Sequence, residues 1–201
     1  MDRVVHGLVE SMGTLPFTRV DARGNACPIR PLQELVRDYV SHVYRLLRHL
    51  GVPSGDLDDA CQQVFLVLAR RHATINPGSE RAFLSSVSAR IASRWRRTHR
   101  RRNESGNDDV PDQTCAPEPS PEQQLELAEA QRLLLQVLDA LPDTQREVFV
   151  LFEIEELTMR DISDVLAIPQ GTVASRLRMA RSQFHQAVAQ LNRATPAGRS
   201  R

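Results

Sequence analysis

The chain has 201 residues, 41% of them hydrophobic but only 4% aromatic, so its core must be aliphatic and its length suits one ordinary domain or two small ones. No apolar run of about 18 residues occurs, which argues against a membrane-spanning helix, and the opening MDRVVHGLVESMGTLPF is too polar and broken for a secretory signal, so a cytoplasmic protein is expected. The net charge of +1 conceals an asymmetry: seven arginines and no acid lie between Arg90 and Arg102, and then Glu104, Asp108, Asp109, Asp112, Glu118 and Glu122 follow.

Residues 1–30 hold Gly and Pro without a steady period and read as an N-terminal extension. Pro31 suits the first turn of a helix, and Leu32, Leu35, Val36, Tyr39, Val40, Val43, Leu47 and Leu50 make its apolar stripe. Gly51 and Pro53 end it, and Asp56 opens the next helix, with Leu57, Cys61, Val64, Phe65 and Leu68 on one face and Asp58, Asp59, Gln62 and Gln63 on the rest. ATINPGSE is a turn-rich break. A third helix carries Phe83, Val87, Ile91 and Trp95 at four-residue intervals and ends in the arginine run.

NESGNDDVPDQTCAPEPS has no periodicity and reads as an acidic, Pro-rich flexible linker over 103–120. Ser120, Pro121 and Gln123 match a capping box, and the helix beyond carries Leu127, Leu134, Val137, Leu138 and Leu141 up to Pro142. A second helix bears Val148, Phe149, Leu151 and Phe152. Thr158 and Asp161 signal another helix start, with Ile162, Val165 and Leu166 as its apolar face. Residues 167–171 turn, and IPQGTVASRLRMARSQF follows with Val173, Leu177, Ala180 and Phe184 on one side. No strand pattern is evident. The predicted fold is all-α, with two helical modules joined by the linker and a helix-turn-helix in the C-terminal one.

The charge placement points to nucleic acid. Arginine donates bidentately to phosphate, although the absence of lysine is also what a GC-rich genome produces. On a wheel of about 100° per residue, Ser175, Arg178 and Ser182 point away from the apolar side of the last helix, and Arg176 and Arg181 flank it. A major groove admits such a helix. A plain helical hairpin with a solvated charged face fits the periodicity equally well. Cys27, Cys61 and Cys115 lack C-x-x-C spacing and the six His are scattered, so no metal, cofactor or small-molecule substrate is expected. There is no phosphate-binding Gly loop and no paired catalytic constellation, so an enzyme is not expected.

Several landmarks in order carry a family resemblance. They are Leu141-Pro142, Arg146-Glu147-Val148, Asp161-Ile162, Gly171-Thr172-Val173, Ser175-Arg176-Leu177 and Ala180-Arg181. This segment resembles the DNA-binding C-terminal domain of bacterial RNA polymerase sigma factors, the extracytoplasmic-function group in particular. The stretch DLDDACQQVF from Asp56 to Phe65 resembles that family's core-polymerase-binding helix, with its Asp, Gln and Phe on Asp59, Gln62 and Phe65. Phe83 and the arginine-rich helix end resemble the promoter-melting segment. The chain departs from the family at Phe83, where Trp is usual, and at Arg90 and Arg94, where Asn and Asp are common.

The resemblance implies a sigma factor that binds core RNA polymerase and directs promoter-specific initiation. Residues 31–102 would be domain 2, binding the polymerase through Asp58, Asp59, Gln62 and Gln63. Domain 2 would also meet the −10 DNA through Arg90, Arg94, Trp95, Arg96, Arg97, Arg100 and Arg101, with Arg102 beside them. Trp95 either stacks on an opened base or completes the apolar stripe. Residues 121–192 would be domain 4, reading the −35 element through Thr172, Ser175, Arg176, Arg178 and Arg181. The linker either runs through the polymerase near the RNA exit path or acts as a plain tether. Residues 193–201 are expected to be a disordered tail. Core polymerase, promoter DNA and an anti-sigma factor are the implied partners. A sigma mimic that binds a regulator without DNA, and a DNA-binding regulator without polymerase, are the competing readings.

Overall fold

The computed structural model describes residues 18–20, 26–28, 30–103 and 121–194. Most of the N-terminal extension, linker residues 104–120 with the Ser120 cap, and the tail from 195 lie outside the described residues. The chain divides into two compact units, Met1–Asp112 and Gln113–Arg201.

The all-α expectation holds for both units, with one amendment. Thr18–Val20 (β1) and Ala26–Pro28 (β2) pair as an antiparallel ribbon, with Arg19 opposite Cys27. Six strand residues are too few to show a period-two pattern in a sequence.

The first unit is built from α1 (Leu32–His49), α2 (Leu57–Arg71) and α3 (Glu80–Asn103), each packed on the other two. In α1, Leu35, Val36, Val43, Leu46 and Leu47 are buried, and Leu32, Tyr39 and Val40 form the half-buried margin. Gly51 stops the helix in the left-handed region at φ 84°. The Val52 amide returns to the Leu47 carbonyl at 3.0 Å, which satisfies a carbonyl the helix itself leaves open. A single 3₁₀ turn, Ser54–Asp56, then leads into α2, so the chain turns helical before Asp56 rather than at it. Phe65 is in the core with Leu57, Cys61, Val64 and Leu68.

Of the expected stripe on α3, Val87 and Ile91 are buried, but the most enclosed line lies beside it. Phe83 and Trp95 are half-buried, whereas Leu84, Ser85, Ser88, Ala89 and Ala92 are almost fully enclosed. Small side chains let α3 lie close to its neighbours, and a stripe of small polar and apolar residues carries no hydropathy signal.

The second unit comprises α4 (Pro121–Asp139), α5 (Asp143–Phe149), α6 (Met159–Leu166) and α7 (Gln170–Ala194). A π-helical turn, Val150–Ile154, extends α5, so Leu151 and Phe152 belong to the turn and not to the helix. Glu156 follows it at φ 56°. The Thr158 capping box forms as the sequence indicates: the Asp161 amide donates to Thr158 Oγ1 and the Thr158 amide donates to Asp161 Oδ2, both at 3.2 Å. Val173, Leu177 and Ala180 of α7 are buried against α5 and α6, and Phe184 stacks on Phe149 with ring centroids 4.7 Å apart. No described helix is long and apolar enough to cross a membrane.

Candidate polymerase- and nucleic-acid-binding surfaces

The α6–α7 corner is set by Ser163, Ala167, Ile168 and Pro169. Ala167 ends α6 in the left-handed conformation, φ 53° and ψ 47°. The Ile168 amide donates to the Ser163 carbonyl at 3.2 Å, and Ser163 Oγ donates to the Ile168 carbonyl at 2.6 Å. Pro169 then precedes Gln170, the first residue of α7, and the Thr172 amide donates to the Pro169 carbonyl at 2.8 Å. Gly171 therefore already lies in the first turn of the helix and not in the corner.

With α7 anchored through Val173, Leu177 and Ala180, its opposite side presents Gly171, Ser175, Arg178, Met179 and Ser182, all exposed. Thr172 and Arg176 are half-buried on the flank beyond Met179. Arg181, on the other flank, is engaged within the protein: its Nε donates to Glu153 Oε1 at 2.7 Å and its guanidinium carbon lies 5.3 Å from the Phe152 ring centroid. The predicted set is therefore gathered on one helix but is not uniform. Arg178 is exposed on the outer side, Arg176 is partly covered and Arg181 is held from the side. Met179, 51% exposed, adds an apolar side chain to this outer side.

On α3, Arg90, Arg94 and Arg97 are exposed, and Arg97 donates to Ser93 Oγ at 3.2 Å. Trp95 is half-buried, on the side of α3 that carries Ser88 and Ile91. Arg100, Arg101 and Arg102 continue the same helix, and their side chains lie outside the described residues. Arg96 is a correction. It is 8% exposed and donates to the Leu50 carbonyl at the end of α1, so it is withdrawn from any DNA-facing set. Charge density alone could not reveal this: Arg96 turns inward because α1 leaves a carbonyl to be satisfied there.

On α2, Asp58, Asp59 and Gln62 are exposed and Gln63 is half-buried. Leu66, 41% exposed, continues the line of Asp59 and Gln62 one turn on, with Arg70 a turn further. Asp58 also acts inward on Cys61, whose thiol is pushed up to about 12, first by burial and then by that carboxylate. Cys61 packs as a core residue, and no group of three or more metal-ligating side chains occurs among the described residues.

Comparison with known proteins matches a family model to each of the two units. The model for sigma-70 region 2 matches residues 35–102, and that for sigma-70 region 4 matches residues 131–184. The chain is 32% identical over 181 residues to the extracytoplasmic-function RNA polymerase sigma factor SigE of Mycolicibacterium smegmatis, covering 90% of this chain and 69% of that protein. It is 30% identical over 128 residues to the probable RNA polymerase sigma factor RfaY of Xanthomonas campestris, covering 62% of this chain and 32% of that protein. Among solved structures, the sigma factor RpoE of Bartonella quintana, solved with the anti-sigma factor NepR, shares the fold at TM-score 0.58 and 16% identity, over 78% of this chain and 96% of that one. CnrH, solved with the cytosolic domain of CnrY, shares it at TM-score 0.53 and 19% identity, over 94% and 97%. With region 2 on the three-helix unit and region 4 on the unit that ends in α7, the chain belongs to the extracytoplasmic-function RNA polymerase sigma factors, which are transcription initiation factors and not enzymes.

Proposed function

We propose that this sigma factor uses three separate surfaces. The exposed side of α2, with Asp58, Asp59, Gln62 and Gln63, docks core RNA polymerase. Complementary charge there fixes orientation more than it adds affinity. The outer part of α3, with Arg90, Arg94, Arg97, Arg100 and Arg101, tracks the −10 DNA through phosphate neutralisation, a sequence-independent attraction that falls steeply with salt. A strand opened there offers unstacked bases to Trp95. The outer face of α7, around Ser175 and Arg178 with Thr172 and Arg176 beside them, enters the major groove of the −35 element. Residues 31–102 thus act as domain 2 and 121–192 as domain 4, joined by the acidic linker, wherever RNA polymerase operates in the cell interior.

The observation that carries this reading is α7 itself. Val173, Leu177 and Ala180 are enclosed while Ser175, Arg178 and Ser182 stand out in solvent on the opposite side. A merely structural helix has no need of an exposed arginine on its outer side for which no partner is found among the described residues. Arg178→Ala is expected to lower transcription from a −35-dependent promoter with core polymerase while leaving polymerase binding intact. Unchanged occupancy of that promoter would remove α7 from the −35 element.

An anti-sigma protein is a further partner we infer. RpoE of Bartonella quintana binds one. Release of transcription on adding and then removing a co-purifying inhibitor would establish it for this chain.

A further inference from the structure

The side of α7 that would face DNA has a carboxylate beside it. Glu153, in the π turn Val150–Ile154, receives the Nε hydrogen bond of Arg181, and Phe152 lies under the same guanidinium. Among the described residues no acceptor is found for the two terminal amines of Arg181, and its side chain is 49% exposed. One contact is a hydrogen bond from Nε, and the other sets the guanidinium carbon over the Phe152 ring. Together they fix where the fork sits and which way its free edge points.

Stability does not account for this arrangement, because an exposed ion pair contributes little. Affinity for DNA does not account for the acid alone, because a negative charge next to a duplex repels it. Orientation accounts for both. On a wheel at about 100° per residue, Arg181 leaves α7 about 70° from the centre of the buried stripe and about 110° from the outermost line. That flank meets the wall of a groove, where phosphates stand, rather than its floor.

We propose that Glu153 is a positioning residue, which with Phe152 holds Arg181 so that its two terminal amines take one backbone phosphate when α7 enters the major groove. This rests on the placement of α7 in the −35 duplex, and adds that part of the grip there is sequence-independent and depends on an acid. Held in place beforehand, the arginine loses less side-chain freedom on binding than a free one would.

The idea predicts a sign that simple electrostatics reverses. If Glu153 only cancels a positive charge, removing it tightens DNA binding. If it aims Arg181, removing it weakens binding.

The test uses the full chain assembled with core polymerase, and measures equilibrium binding to a promoter duplex from about 50 to about 200 mM salt. Arg181→Ala is expected to weaken binding and flatten the salt slope by about one phosphate contact. Glu153→Ala should weaken binding a few-fold with the slope moving the same way. Glu153→Gln removes the charge yet keeps an acceptor for Nε, and should stay near wild type. In the Arg181→Ala background, Glu153→Ala should have no further effect. Tighter binding by both Glu153 variants, or no change in either, would overturn the proposal while leaving α7 on the −35 element. A wild-type protein that binds a duplex with a scrambled −35 equally well would instead overturn the placement of α7. Thermal unfolding of each variant checks that the fold is kept.

Discussion

Arg96→Ala is expected to damage the first unit and not its DNA surface. The Arg96 guanidinium is buried and donates to the carbonyl of Leu50, a residue whose own surface is fully enclosed. A hydrogen bond from a charged donor contributes about 1.5–3 kcal/mol. A cation at a helix C-terminus adds about 0.3–1 kcal/mol. Truncation to Ala removes both and leaves the Leu50 carbonyl without this donor, so a loss of about 2–4 kcal/mol follows. In a unit of this size each kcal/mol moves the melting temperature by about 4–8 °C, which places the shift at about 10 °C or more. The assay is convenient, because the chain has a single tryptophan and Trp95 adjoins Arg96, so tryptophan fluorescence follows this unit alone. Arg97→Ala is the control: exposed, with one bond to Ser93, it should alter stability by no more than about 0.5 kcal/mol. If Arg96→Ala melts with the wild type yet fails to open promoter DNA, the structural assignment of Arg96 is wrong.

Two further outcomes follow from single side chains. Thr158→Ala deletes one half of the capping box at the start of α6 and should cost about 1 kcal/mol in a denaturant titration, whereas Thr158→Ser should restore most of it. Cys61 holds its proton up to about 12 in the folded chain against 9.0 ordinarily, so the folded state binds that proton more tightly. Below the lower value both states are protonated and the thiol adds no pH dependence; between the two, stability must fall as pH rises, by up to about 1.4 kcal/mol per pH unit. A Cys61→Ala variant that shows the same alkaline slope would refute that source.

Legibility in the sequence tracked how local the determining interaction is. The Thr158–Asp161 box joins residues three apart, and both of its hydrogen bonds form. Gly51 ends α1 because only that position needs a positive φ to return Val52 to Leu47, a relation within one turn. The family landmarks gathered on α2 and α7 were readable for the same reason, as each is a spacing along one helix. What escaped depends on contacts far apart in the chain. The inward turn of Arg96 is decided by Leu50, which is 46 residues away. The capture of Arg181 is decided by Glu153, 28 residues away. The close-packed face of α3 is decided by what α1 and α2 bring against Ser88, Ala89 and Ala92, and small residues give no periodic signal of their own. The π turn after α5 keeps helical spacing almost intact, so Leu151 and Phe152 read as helix.

The corner before α7 shows how such a mismatch becomes informative. The sequence places Pro169 and Gly171 there, yet the positive φ falls on Ala167, where a side chain is strained by about 1–2 kcal/mol. Gly171 has an ordinary helical backbone, and a Cβ added there would meet nothing within 4 Å. On stability alone the two residues are the wrong way round. Ala167→Gly relieves the strain, offset by about 0.5–1 kcal/mol of backbone entropy, and should be neutral or slightly stabilising with promoter affinity unchanged. Gly171→Ala should stabilise α7 by about 0.5–1 kcal/mol for the same entropic reason. Gly171 lies on the exposed side of the first turn of α7, the part of a recognition helix that approaches base edges. A methyl group there stands between helix and groove, so the more stable variant should bind the −35 element less well. A Gly171→Ala protein that melts higher and still binds −35 DNA as tightly as wild type would show that this turn never comes close to the groove.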